Sequence, residues 1–97
     1  MIKYLENENL HDVIQNGVYL VDFYADWCGP CKMLGSVLEQ LEGTNIVKVN
    51  TDTHAELARD FGVMSIPTIV FFKDGKEVRK EIGFKPKEEI EKIISEL

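Results

Sequence analysis

The chain has 97 residues, with 44% hydrophobic and 29% charged side chains and a formal net charge of −6. These are the proportions of an ordinary globular domain, and the length suits one packed core, so a single domain over residues 1–97 is expected. The acidic balance repels phosphate backbones, and the scattered lysines and arginines offer no cluster for an anionic lipid surface, so neither nucleic acid nor membrane is an expected partner.

Residues 1–4 read as a short strand. Leu10, Val13 and Ile14 then share one helical face, with Asn7 or Asn9 as a cap and Gly17 as a stop. The run Val18-Tyr19-Leu20-Val21-Asp22-Phe23-Tyr24 is almost continuously apolar, the pattern of a strand buried on both faces. After the cysteines, Leu34, Val37, Leu38 and Leu41 repeat at helical spacing up to Gly43, which also assigns Met33, Leu34 and Leu38 to the core. Ile46–Val49 reads as a strand. Thr53-His54-Ala55-Glu56 has the spacing of a capping box before a helix with Leu57, Ala58 and Phe61 inside and Gly62 at its end. Thr68–Phe72 is a strand, Asp74-Gly75 a hairpin signal, and Glu77–Ile82 the returning strand closed by Gly83. Ile90, Ile93, Ile94 and Leu97 mark a last helix, with Pro86, Glu88 and Glu89 suited to its first turn. Alternating strands and helices followed by a hairpin and a helix predict an α/β layered domain with a mixed sheet.

The chemistry is concentrated in Trp27-Cys28-Gly29-Pro30-Cys31. Lying between a buried strand and a helix, Cys28 falls at a helix N-terminus, where unpaired N–H groups and the helix dipole favour a thiolate. Pro30 suits the first turn because the N–H it lacks has no helical partner there. Cys31, three residues on, lies on the same face with Cβ atoms roughly 5–6 Å apart, within reach of a disulfide after slight local tightening. Four alternatives to a reductase compete: an oxidase or isomerase with a more oxidising couple, a zinc half-site, a pair of inert structural cysteines, and a non-catalytic binding module. Gly-Pro between the cysteines leans against the first. Zinc needs further ligands, and His11 and His54 are isolated and read as surface residues. No metal is expected. The N-terminus, broken by Lys3 and Glu6, does not read as a signal peptide, and no apolar run is long enough to span a bilayer. A cytoplasmic address follows as the default, a compartment where a paired CxxC is catalytic or metal-binding more often than a structural staple.

The stretch Val21–Lys32, with its WCGPC core, resembles the active-site region of thioredoxins. Lys48-Val49-Asn50-Thr51-Asp52, Ser65-Ile66-Pro67-Thr68, Phe72-Lys73-Asp74-Gly75 and Ile82-Gly83 are similar to later segments of that family in the same order. The resemblance implies a thioredoxin fold, a mixed central sheet flanked by helices on both faces, and a monomeric protein-disulfide reductase. Cys28 would attack and Cys31 resolve. Asp22, a carboxylate in an apolar strand, carries a raised pKa by desolvation and would exchange the Cys31 proton, with Lys48 as its partner. The resemblance also implies a cis bond before Pro67, leaving the Ser65-Ile66 backbone to bind an extended substrate. Trp27, Gly29, Pro30, Ile66, Gly83 and Phe84 would complete a shallow docking rim. With no Gly-rich nucleotide loop and no cofactor of its own, the chain would take electrons from a thioredoxin reductase and pass them to disulfide-containing proteins. Departures from the family pattern are Gly35-Ser36 where a helix-kinking proline is common, Tyr24 where Trp is common, Met64 where a basic or polar residue is usual, and the large Phe84. Asp26 and Lys32 read as solvated charges beside the site.

Overall fold

The computed structural model describes residues 1–97. Five strands form one sheet in the order β1-β3-β2-β4-β5, with β1 Ile2–Tyr4, β2 Val18–Tyr24, β3 Asn45–Asn50, β4 Thr68–Lys73 and β5 Lys76–Ile82. The β1/β3 and β3/β2 pairs are parallel, while β2/β4 and β4/β5 are antiparallel. Four helices complete the fold: α1 Leu10–Val13, α2 Gly29–Glu39, α3 Ala55–Asp60 and α4 Lys87–Ser95. This is the mixed sheet that the alternation of strands and helices predicts.

Side-chain alternation along the strands divides the core into two layers. Val21, Phe23, Val47, Val49, Val70 and Phe72 pack with Leu10, Ile14 and Ala58 of the α1 and α3 layer. Leu20, Ile46, Ile69 and Phe71 pack with Leu34 and Leu38 of α2 and Ile90 and Ile93 of α4 on the opposite face. The central strand β2 has both faces covered, which is why its sequence is nearly continuously apolar. Asp22 interrupts it on the α2 side, in register with Lys48 of β3 and Ile69 of β4.

Local signals account for most element ends. The Asn9 side chain accepts from the His11 N–H at the start of α1. Asp74 and Gly75 have φ of 51° and 83°, the left-handed pair that a tight hairpin requires, and the Asp74 carboxylate also accepts from Gly17 N–H at 2.8 Å. Edge strand β5 carries five charged residues among its seven, a composition that discourages pairing with another sheet edge.

Four expectations need correction. Met33 is exposed, because it lies one residue (about 100° of helix) off the Cys31-Leu34-Leu38 stripe. The Thr53 box does not form: His54 takes the N-cap position without a side-chain bond, and the Thr53 hydroxyl turns back to the Asn50 carbonyl and the His54 ring. Leu41 lies beyond the end of α2 yet remains buried. His54 is half-buried rather than a free surface group, its Nε2 donating to the Glu6 carbonyl at 2.8 Å, whereas His11 is exposed.

Candidate active site

The end of β2 and the start of α2 bring the two cysteines to the rim of the sheet. Cys28 is the N-cap of α2, with extended backbone, and Pro30 occupies the first turn where its missing N–H leaves no gap. The Cys31 N–H donates to Cys28 Sγ at 3.2 Å. A disulfide joins the pair, their Cα atoms 5.2 Å apart. Both cysteines are buried in a small cluster with Ala25, against which Tyr24 and Ile66 pack.

The Ile66–Pro67 bond is cis and carries the Ile66 carbonyl oxygen to 4.0 Å from Cys28 Sγ. A disulfide sulfur has no proton to donate, so this is a contact; a Cys28 thiol at the same place could donate. Neither the N–H nor the C=O of Ile66 makes a backbone hydrogen bond. The loop is fixed by its neighbours: the Thr68 hydroxyl donates to Ser65 C=O at 2.7 Å, and Gly83 N–H donates to Pro67 C=O at 2.8 Å. Gly83 does so with φ of 89°, a conformation that disfavours a side chain. Ile66 is thus held beside Cys28, with Ser65 and Pro67 flanking it in the chain and Gly83 bonded to Pro67. Trp27 is 72% exposed and is oriented by its indole N–H, which donates to the Asp52 carboxylate at 3.0 Å. Phe84 is exposed, and at Gly29 a side chain would meet open space.

Beneath α2, Asp22 is fully buried and neither carboxylate oxygen has a hydrogen-bonding donor. Its one charged partner is Lys48, at 3.5 Å, longer than a charge-assisted hydrogen bond. Burial pushes the Asp22 pKa up to about 6 against the smaller downward pull of Lys48. Lys48 is also buried and lies over the ring of Tyr24 (4.5 Å to the centroid) and near that of Tyr4 (5.7 Å). An open cavity of about 150 Å³ is lined by Tyr4, Tyr24, Ala25, Asp26, Cys31, Lys32 and Lys48, so it connects the Cys31 side of the disulfide with the lysine. Asp26 and Lys32, read as solvated charges, are two of its walls.

Sequence reasoning gave no role to Asp52, Thr68 or Tyr4. Asp52 has a local signal, since its N–H donates to the Asn50 side chain in an Asx turn that aims it at Trp27. Tyr4 has none, because its neighbourhood depends on β1 pairing with β3.

A family model for thioredoxin matches residues 1–96. A thioredoxin of Staphylococcus saprophyticus is 50% identical over 93 residues, covering 91% of this chain and 89% of that protein. A thioredoxin of Chlamydia caviae is 47% identical over 100 residues, covering 99% and 98%. Among solved structures, a single-site mutant of a thioredoxin from Halobacterium salinarum superposes with a TM-score of 0.88 at 36% identity, over 98% of this chain and 88% of that one. A thioredoxin from Nicotiana alata gives 0.85 at 33% identity, over 98% and 90%. Agreement of sequence, fold and a CxxC disulfide at a helix N-cap leaves one assignment: this chain belongs to the thioredoxin family and is a thiol–disulfide oxidoreductase.

Proposed function

We propose that the chain acts as a single-domain, monomeric, cytoplasmic reductant of protein disulfides, with Cys28 as nucleophile, Cys31 as resolving thiol and Asp22 as proton acceptor. The observation that carries this reading is the Cys31 N–H directed at Cys28 Sγ from the first turn of α2. The N-terminal partial charge of a helix favours an anion by roughly 0.3–1 kcal/mol, and a hydrogen bond to a charged group contributes about 1.5–3 kcal/mol. Both act on the sulfur at the N-cap and neither on Cys31, so the thiolate forms at Cys28 first.

The Cys28 thiolate attacks one sulfur of a substrate disulfide, and the other substrate sulfur leaves as a thiolate that takes a proton from solvent. Cys31 then passes its proton toward Asp22, whose pKa near neutrality suits transfer in both directions. The Cys31 thiolate attacks Cys28 Sγ, the second substrate sulfur departs and is protonated, and Cys28–Cys31 is left as a disulfide. Two electrons pass from the dithiol to the substrate. Lys48 pairs with Asp22 when the carboxyl is ionised. The unpaired Ile66 N–H and C=O support binding of an extended substrate segment by strand-like hydrogen bonds, with Trp27, Gly29, Pro30, Ser65, Pro67, Gly83 and Phe84 as its surroundings. A thioredoxin reductase returns the electrons. No helix is long and apolar enough to cross a membrane, and the cytoplasm is the compartment in which a dithiol couple is kept reduced.

The reading is tested with a model protein disulfide. Cys28→Ser abolishes turnover, and Cys31→Ser reacts once and stays joined to substrate as a mixed disulfide that a small thiol releases. Full turnover by Cys28→Ser would overturn the assignment. A potential near the reference thioredoxin value of about −270 mV fits a reductant, whereas one above about −200 mV transfers the same chemistry to oxidation or isomerisation.

A further inference from the structure

The sheet register places Tyr4, Lys48 and Asp22 in one transverse row across β1, β3 and β2. Tyr24 lies on the same face of β2 two residues beyond Asp22. The Lys48 ammonium is therefore surrounded on three sides: Asp22 at 3.5 Å, the Tyr24 ring at 4.5 Å and the Tyr4 ring at 5.7 Å. The two rings meet edge to face, centroids 6.3 Å apart, and form a corner rather than two independent contacts. On the α2 side the wall is Gly35, where a Cβ would come within 3.3 Å of Lys48 Nζ, so the position occupied by the ammonium is one that a larger residue crowds. Lys48 makes no hydrogen bond to a neutral acceptor. The cavity beside Cys31 offers the ammonium room to swing away from Asp22, and Asp22 does not line it.

We propose that Tyr4 and Tyr24 are positioning residues: their ring faces form a cation–π cradle that holds the Lys48 ammonium on Asp22, and so set the pH at which the carboxyl accepts the Cys31 proton. The consequence for the reaction rests on Asp22 being that acceptor; the cradle itself does not. All of the downward pull on the Asp22 pKa comes from Lys48, so whatever holds Lys48 in place governs it. The other polar groups facing this corner are few. Asp26 and Lys32 line the cavity with Cys31, Asn50 lies next to Tyr24 by register, and Ile69 on β4 is apolar. Glu81, farther along the same row on β5, is engaged by Arg79 and Lys85.

The test is a carbon-13 NMR titration of the Asp22 carboxyl in the oxidised protein, where the cysteines do not titrate. It compares the native chain with Lys48→Met, Tyr24→Leu, Tyr24→Phe and Tyr4→Leu. Lys48→Met raises the midpoint. Tyr24→Leu raises it by about half a unit, roughly threefold in the ionisation constant, the scale of one cation–π contact. Tyr4→Leu raises it less, as suits its longer distance, and Tyr24→Phe, which keeps the ring, leaves it in place. Tyr4 is half exposed, so its variant remains a fair test should Tyr24→Leu fail to fold. The cradle is refuted if removing the rings leaves the midpoint unchanged or lowers it, if Tyr24→Phe moves it as far as Tyr24→Leu, or if Lys48→Met leaves it unmoved. Asp22 as proton acceptor is tested separately, by the resolving rate of Asp22→Asn, so either idea can fail while the other stands.

Discussion

Replacing Asp22 by Asn makes the protein more stable above neutrality and leaves it unchanged in acid. The sign follows from proton counting. The folded carboxyl has a pKa raised to about 6 against 3.8 for a free side chain, so between these values the native state binds a proton that the unfolded state has lost. Stability therefore falls as pH rises through this window, and the loss is complete above the folded value. About two units at 1.36 kcal/mol each amounts to about 3 kcal/mol. That figure already includes the attraction of Lys48, which opposes burial in setting the raised value. Asn imitates the protonated acid in size and polarity, so at about pH 4 the variant and the native protein unfold alike, and at about pH 8 the variant is more stable by about 3 kcal/mol. Urea unfolding of the oxidised proteins, followed by the single Trp27, measures both points. An equal difference at the two pH values, or a variant less stable at high pH, refutes the reasoning. The same substitution slows resolution of the mixed disulfide, and the native rate of that step rises as pH passes through about 6.

Gly35→Ala stabilises α2 by about 0.5–1 kcal/mol, because an interior glycine gives up more backbone freedom than alanine. The only atom its Cβ meets is the end of a flexible lysine, so melting rises by a few degrees while the Asp22 midpoint moves upward as Lys48 yields; a lower melting temperature would mean that Lys48 cannot yield. Gly75→Ala costs about 1–2 kcal/mol through its φ of 83°, since the added Cβ meets only ordinary contacts at Gln15, and turnover is unaffected. Gly75→Asn recovers most of that loss in thermal unfolding, because Asn tolerates the left-handed region. Trp27→Ala lowers kcat/KM for a protein disulfide about 5- to 30-fold, the scale of one aromatic anchor, with little effect on a small disulfide or on melting. Equal losses for both substrates would place Trp27 in the chemistry and not in docking.

What could be read from the chain is what short-range physics decides. Val18–Tyr24 is bounded as its apolar run predicts because both faces of a central strand must be covered. The Asp74-Gly75 hairpin follows from the only residue pair there suited to two positive φ values. Cys28 falls at a helix start because Pro30 fits a first turn. Met33 shows the limit of this reading: an apolar residue next to a core stripe is assigned inward unless the helix phase is known to within a residue. Thr53 shows another, since its hydroxyl had a local competitor in the Asn50 carbonyl that spacing alone does not reveal. The row Tyr4-Lys48-Asp22 depends on a strand order that skips along the chain, β1 beside β3 and β3 beside β2. The cis bond at Pro67 came from family resemblance, as nothing in Ile-Pro itself favours it.

Asp22 sits where the fold can least relieve it. It is on the strand with neighbours on both sides, under a helix, with no donor on either oxygen. At the sheet edge the same carboxyl would be hydrated, with a pKa too low to take a thiol's proton. One step along the strand, at Val21 or Phe23, it would face the α1 and α3 layer, away from Cys31. Position 22 alone combines depth, facing and register with Lys48. The burial that destabilises the folded state is therefore what gives the carboxyl a pKa near neutrality. A change that makes the pocket more comfortable for an ionised Asp22, such as a new hydrogen-bond donor on α2, stabilises the protein and slows its resolving step together. A donor variant that gained stability above neutrality and kept the native resolving rate would break that link.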